Sequence, residues 1–176
     1  MAAYFTISIF GDEKRAHCED FLFTKPRKRA DIFFSKLLSI LTLLFLSNIC
    51  YVVTAIFLFR KYNIEKHILF GSLSMLFSEL VFVTITLFFT NFATKIRSVF
   101  GLSCAIGFSG FILNSIAKII DEKFFYYLSP YNYFEPAYLW KKGHFNVAYT
   151  IWAVILSVLL IGISYLYYCK KDSKTL

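Results

Sequence analysis

Polar and apolar positions fall into long blocks along this chain, and the blocks predict the elements. Four apolar runs, at 37–59, 68–90, 99–120 and 147–168, are each long enough to cross a hydrocarbon layer of roughly 30 Å as a helix. At that depth no water is available to bond free N–H and C=O groups, so a helix is the form such runs take. The links between them are short and charged, except for 121–146. No repeat and no low-complexity linker divides the chain. The pattern predicts an all-α fold: a polytopic integral membrane protein, one membrane domain over 1–176 with four transmembrane helices.

Residues 1–10 (MAAYFTISIF) are apolar but too short to cross alone. They lack a basic leader and run straight into acidic residues, so they do not read as a cleavable signal peptide. They read as the tail end of a truncated span. The next stretch, 13–36 (EKRAHCEDFLFTKPRKRADIFFSK), is the largest polar surface of the chain. It combines acidic residues, a Phe-Leu-Phe patch, one proline and a dense basic cluster.

Composition agrees with the blocks. Hydrophobic residues make up 58% of the chain, charged residues 17%, and mean hydropathy is +0.61. Ordinary globular chains hold roughly 45–50% apolar and about 25% charged residues. The net charge of +8 comes from Lys and Arg flanking apolar runs, which points to membrane edges and anionic lipid rather than nucleic acid. One side would carry Lys14, Arg15, Lys25, Arg27, Lys28, Arg29, Lys36, Lys95, Arg97, Lys170, Lys171 and Lys174. The other would carry Arg60, Lys61, Lys66, Lys123, Lys141 and Lys142, half as many. The positive-inside bias therefore places both termini in the cytoplasm of a multi-pass cell-membrane protein.

The long link at 121–146 holds nine aromatic residues between Phe124 and Trp140, with Pro130 and Pro136 among them. Aromatics with polar edges favour the membrane interface, and the prolines break a continuous helix. Short helical pieces folding back on the outer leaflet are expected; the alternative is an exposed loop with its rings in water. In the third span, Ser103, Gly107, Gly110 and Asn114 fall at i, i+4, i+7 and i+11. That spacing gathers small and polar groups on one face, suited to close helix packing or, alternatively, to lining a substrate path. Lys118, a turn further on, is expected to reach the outer interface. Glu79 is the one carboxylate deep in a span, where an ionisable group is expensive and usually faces a partner or a wet cavity. A functional role for Glu79 is expected; the alternative is a protonated or hydrogen-bonded Glu79 satisfied by Asn48, itself a candidate for hydrogen bonding between helices, or by Ser and Thr groups.

No catalytic constellation is present: no GxSxG, no HExxH and no phosphate-binding glycine loop. His17, His67 and His144 lie in three separate polar segments. Cys18, Cys50, Cys104 and Cys169 lack metal-ligand spacing. The sequence indicates neither an enzyme nor a cofactor, and any energy source must come from a partner or an ion gradient.

The order of features resembles the permease subunit of ABC transporters of the ABC-2 (type-2 exporter) family. In that family an acidic-to-basic cytoplasmic segment precedes the third span. Here Glu13, then Asp20, Phe21, Leu22 and Phe23, then Pro26, Arg29 and Lys36 follow that order. His17-Cys18 stand where the family often has Gly-Thr, and Arg27-Lys28 come directly after the proline. The outer link runs into Tyr127-Leu128-Ser129-Pro130 and Tyr133, similar to an aromatic signature of the family. The family has about six spans; the four found here imply a chain without the connector helix and the first two spans. Such a chain is either a fragment or a shortened subunit.

The resemblance implies that 1–36 holds the end of a span and a cytoplasmic coupling segment. Glu13, Asp20, Phe21, Leu22, Phe23, Pro26 and Arg29 would dock on a separate ABC-type ATP-binding subunit. It also implies a dimer with a second permease copy, embedded in membrane lipid, that uses the partner's ATP hydrolysis for export. A four-span interaction or scaffold protein, or an inactive permease fragment, is the alternative.

Overall fold

A computed structural model describes residues 1–15, 29–60, 65–93, 96, 98–120 and 123–170. The helices are α1 (Ala2–Arg15), α2 (Arg29–Phe59), α3 (Glu65–Phe92), α4 (Val99–Ile120), α5 (Lys123–Leu128), α6 (Pro136–Lys142) and α7 (Val147–Lys170). A 3₁₀ turn, Pro130–Asn132, stands between α5 and α6. Described residues contain no strand. The protein is all-α, and α2, α3, α4 and α7 are each long and apolar enough to cross a membrane.

The elements start and stop for local reasons. Ser98 accepts the amide N–H of Gly101 at 3.1 Å and so caps α4. Asn146 accepts the N–H of Ala148 at 3.2 Å through its side chain and caps α7. Pro136 opens α6, where its missing N–H costs nothing. Gly143 closes α6 in the left-handed region at φ 70°, returning its N–H to the carbonyl of Leu139 at 2.8 Å. The 121–146 link is thus built largely of short helical pieces.

α3 is the hub. It packs against α1, α2, α6, α7 and the 3₁₀ turn. A third of its apolar window is buried, 33% against 11% for both α2 and α7. Its sequence explains why neighbours can close on it. Ser72, Ser74, Thr84, Thr86 and Thr90 are small and buried, and the hydroxyls of Ser72 and Thr84 donate to carbonyls of their own helix. Such back-bonding satisfies a polar group where lipid offers nothing. Between helices, amide side chains donate to backbone carbonyls. Asn48 of α2 donates to Ser72 at 3.0 Å, and Asn91 donates to Ser164 of α7 at 3.4 Å. The outward faces of α2, α4 and α7 carry exposed Phe, Leu, Ile and Val, as lipid-facing helices must.

One end of the bundle gathers the end of α1, the starts of α2 and α4, and the ends of α3 and α7. An aromatic cluster holds it together. Phe33 is fully buried, with ring centroids 5.5 Å from each of Phe10, Tyr165 and Tyr168. Lys36 lies with its Nζ 5.2 Å from the centroid of the Phe10 ring. α2 begins at Arg29, ahead of the apolar run at 37–59, with Phe33 anchored in that first part of the helix. α3 and α7 likewise run slightly beyond the expected 68–90 and 147–168.

Phe33→Ala is expected to destabilise the protein by about 3 kcal/mol or more, as emptying a fully packed aromatic site does. Thermal unfolding of the purified protein in detergent measures it, and the exposed Phe57→Ala, on the lipid face, should change little.

Candidate functional site

α1 is a short apolar helix, yet several of its residues are deeply buried: Ala2, Thr6, Ile7 and Phe10. It lies against α3 on one side and α4 on the other. Gly11 lets it approach the α3–α4 link, since a Cβ there would stand 3.0 Å from Ile96 Cδ1. Inserted between the two, α1 acts as a wedge. α4 packs on α1, on α5 and on the 3₁₀ turn, and meets α3 chiefly where Phe82 touches Gly110.

A cavity of about 670 Å³ lies between α1, α3 and α4. Met75, Ser78, Glu79 and Phe82 line it from α3; Phe100, Ser103, Cys104 and Gly107 line it from α4; Met1 to Tyr4 line it from α1. Tyr131 also lines it. Glu79 is half-buried, and among the described residues no side chain hydrogen-bonds or ion-pairs with its carboxylate. Asn48, the partner expected from sequence, points its amide to the Ser72 carbonyl. The terminal amine of Met1 acts on Glu79 electrostatically, but the two make no ion pair.

Gly110 sits at the neck above this cavity. Its missing side chain admits two rings: a Cβ would stand 3.1 Å from Phe82 Cζ and 3.3 Å from Tyr131 Cε2. Those rings lie with centroids 4.9 Å apart. Beyond the neck a second cavity of about 420 Å³ opens toward the other end of the bundle, lined by Asn114, Lys118, Tyr131, Asn132, Glu135 and Trp140 among others. Lys118 pairs with Glu135 at 3.5 Å, both well exposed. The α4 face predicted from spacing is therefore shared out. Ser103 and Gly107 face the first cavity, Gly110 the neck, and Asn114 the second cavity.

The 121–146 link covers this arrangement. Tyr127 gives its carbonyl to two donors, the Tyr133 hydroxyl at 2.6 Å and Trp152 Nε1 at 3.0 Å. Ser129, Pro130 and Tyr133 are buried, whereas Leu128 is largely exposed. Ser74 of α3 donates to the Phe134 carbonyl, and Phe134 stacks on Phe77 at 5.3 Å. Burial holds the Tyr131 and Tyr133 phenols above their ordinary titration range, so they remain donors.

The remaining predicted positions are not brought to this site. Glu13 and Arg29 lie in helical backbone, at the end of α1 and the start of α2, at the opposite end of the bundle from Tyr131. Asp20, Phe21, Leu22, Phe23 and Pro26 lie outside the described residues. Among the described residues, Cys50, Cys104 and Cys169 take part in no disulfide. Two contributors are not legible in the sequence: Phe82 and Tyr131 look like any apolar span and loop aromatic until the fold sets them on Gly110. No family model, curated protein or solved structure matches the chain.

Gly110→Ala should push on both rings and destabilise the protein by about 1–3 kcal/mol, the usual cost of overpacking. Gly107→Ala, whose Cβ meets nothing within 4 Å, should not. Comparing the two melting temperatures checks the neck.

Proposed function

We propose that this chain is the permease subunit of an ABC transporter of the type-2 exporter kind, multi-pass in the cell membrane. In this reading it pairs with a second copy, and an ATP-binding subunit docks on the 13–36 stretch from the cytoplasm. The observation that carries the reading is where that stretch is held. α1 ends and α2 begins at the same end of the bundle, fastened by Phe10 against Phe33. The same end receives the α3–α4 link and the end of α7, and with them the larger share of the basic residues. By the positive-inside bias that end faces the cytoplasm. A carboxylate facing a cavity at membrane depth supports transport over scaffolding, since a purely structural bundle gains nothing from Glu79.

The coupling logic follows from the packing. A force on the 13–36 stretch pulls on α1 and α2 together, and α1 is the wedge between α3 and α4. Movement of α1 would change the separation of the helices that enclose the cavity. Phe21, Leu22 and Phe23 would supply the apolar anchor of the docking surface, with Asp20 and Arg29 on its charged rim.

Leu22→Asp is expected to abolish co-purification with the cognate ATP-binding subunit while membrane insertion stays normal. Affinity pull-down from solubilised membranes measures this, and an undiminished pull-down would sink the docking reading.

A further inference from the structure

The second cavity, of about 420 Å³, is lined by the last turns of α4, the 3₁₀ turn and the start of α6, and by no described residue of α1. Its volume lies within the roughly 300–1,000 Å³ typical of small-molecule sites. Its polar groups form two complementary sets. Lys118 supplies a cation, and Asn132 a carboxamide whose Nδ2 finds no acceptor among the described residues. Glu135 supplies an anion, and Asn114 a carboxamide whose Oδ1 finds no donor there. Asn132 is more than nine-tenths buried, where an unpaired donor is costly. Lys118 and Glu135 meet at 3.5 Å with both side chains about half exposed, a pair that contributes little by itself.

A guest of one charge would satisfy one set and leave the other facing the wrong sign. A zwitterion matches both: its anionic end takes Lys118 and the Asn132 donor, its cationic end Glu135 and the Asn114 acceptor. The Asn114 oxygen needs an N–H, which a primary ammonium has and a quaternary one lacks. The place of the cavity says where such a guest comes from. Lys118 lies in the last turn of a membrane-spanning helix, and Trp140 and Tyr131 are rings of the kind that settle at headgroup level. This part of α4 also exposes Phe111, Ile112 and Ile119, apolar surface on which acyl chains can lie. We infer that this cavity binds the headgroup of phosphatidylethanolamine, its phosphate on Lys118 and Asn132 and its ammonium on Glu135 and Asn114, with the Trp140 ring beside it.

Binding here requires no ATP-binding subunit, so its test is separate from that of docking. The full chain, delipidated in dodecylmaltoside, is titrated with single lipids and followed by native mass spectrometry. One saturable phosphatidylethanolamine is expected, held at least about tenfold more tightly than phosphatidylcholine, which has no N–H, or phosphatidylglycerol, which has no amine. Soluble glycerophosphoethanolamine should compete only weakly; competition at equal concentration would overturn the lipid assignment in favour of a free zwitterion. Glu135→Gln should weaken phosphatidylethanolamine binding about tenfold, the scale of one close charge pair in a partly shielded site. Glu135 makes no side-chain cap bond to α6, so that helix start survives the change. Lys118→Glu combined with Glu135→Lys keeps the ion pair but reverses it, and should also abolish the preference; an unchanged melting temperature shows that the pair still serves the fold. Equal binding of the three lipids, or wild-type binding by the reversed pair, would overturn the inference.

Discussion

The structure depends on how α3 is made approachable. In a bilayer, helices gain nothing from hiding apolar surface from one another, because lipid is equally apolar; close packing and polar bonds between helices must hold them together. α3 answers this with buried Ser and Thr, which are small enough to admit neighbours. Among the bonds that α3 makes to other elements are Asn48 to the Ser72 carbonyl, Asn91 to the Ser164 carbonyl, and Ser74 to the Phe134 carbonyl. These three fasten α2, α7 and the 121–146 link to a single helix. A hub of leucines would have offered bulk without any such bonds.

Around that hub, α1 and the 121–146 link pack from opposite ends. α1 lies between α3 and α4, burying Ile7 and Phe10. The 121–146 link sets Tyr131 beside Phe82 on Gly110. Between them lies the cavity that Glu79 lines. The site is therefore a consequence of backbone placement. Its lining residues would pack conventionally if α4 lay directly along α3.

Much of this fold is legible in the sequence, because hydropathy and helix length are local properties. The third span is found at 99–120 by both routes. What holds the start of α2 is not legible, because Phe33 is fixed there by Phe10, Tyr165 and Tyr168 from distant parts of the chain. The same divide runs through the site. The Ser103, Gly107, Gly110 and Asn114 face can be read from spacing, since helical period fixes it. What the face opposes cannot, because periodicity is silent about neighbours. Packing and cavity lining, alternatives on the sequence, occupy different turns of the same face. Asn48 and Glu79 show the limit again: two rare polar residues in neighbouring spans suggest a pair, but a carbonyl of α3 is the acceptor that Asn48 takes.

Gly110 joins the hub, the roof and the two cavities. A helix needs no glycine for its own sake, and glycine costs about 1 kcal/mol relative to alanine in a helix interior. Its presence in α4 is accounted for by the two rings that occupy the space of its side chain. Those rings belong to different layers, Phe82 to the hub and Tyr131 to the roof, and Tyr131 lines the cavities on both sides of the contact. Gly110 therefore brings α3, α4 and the 121–146 link together at one point.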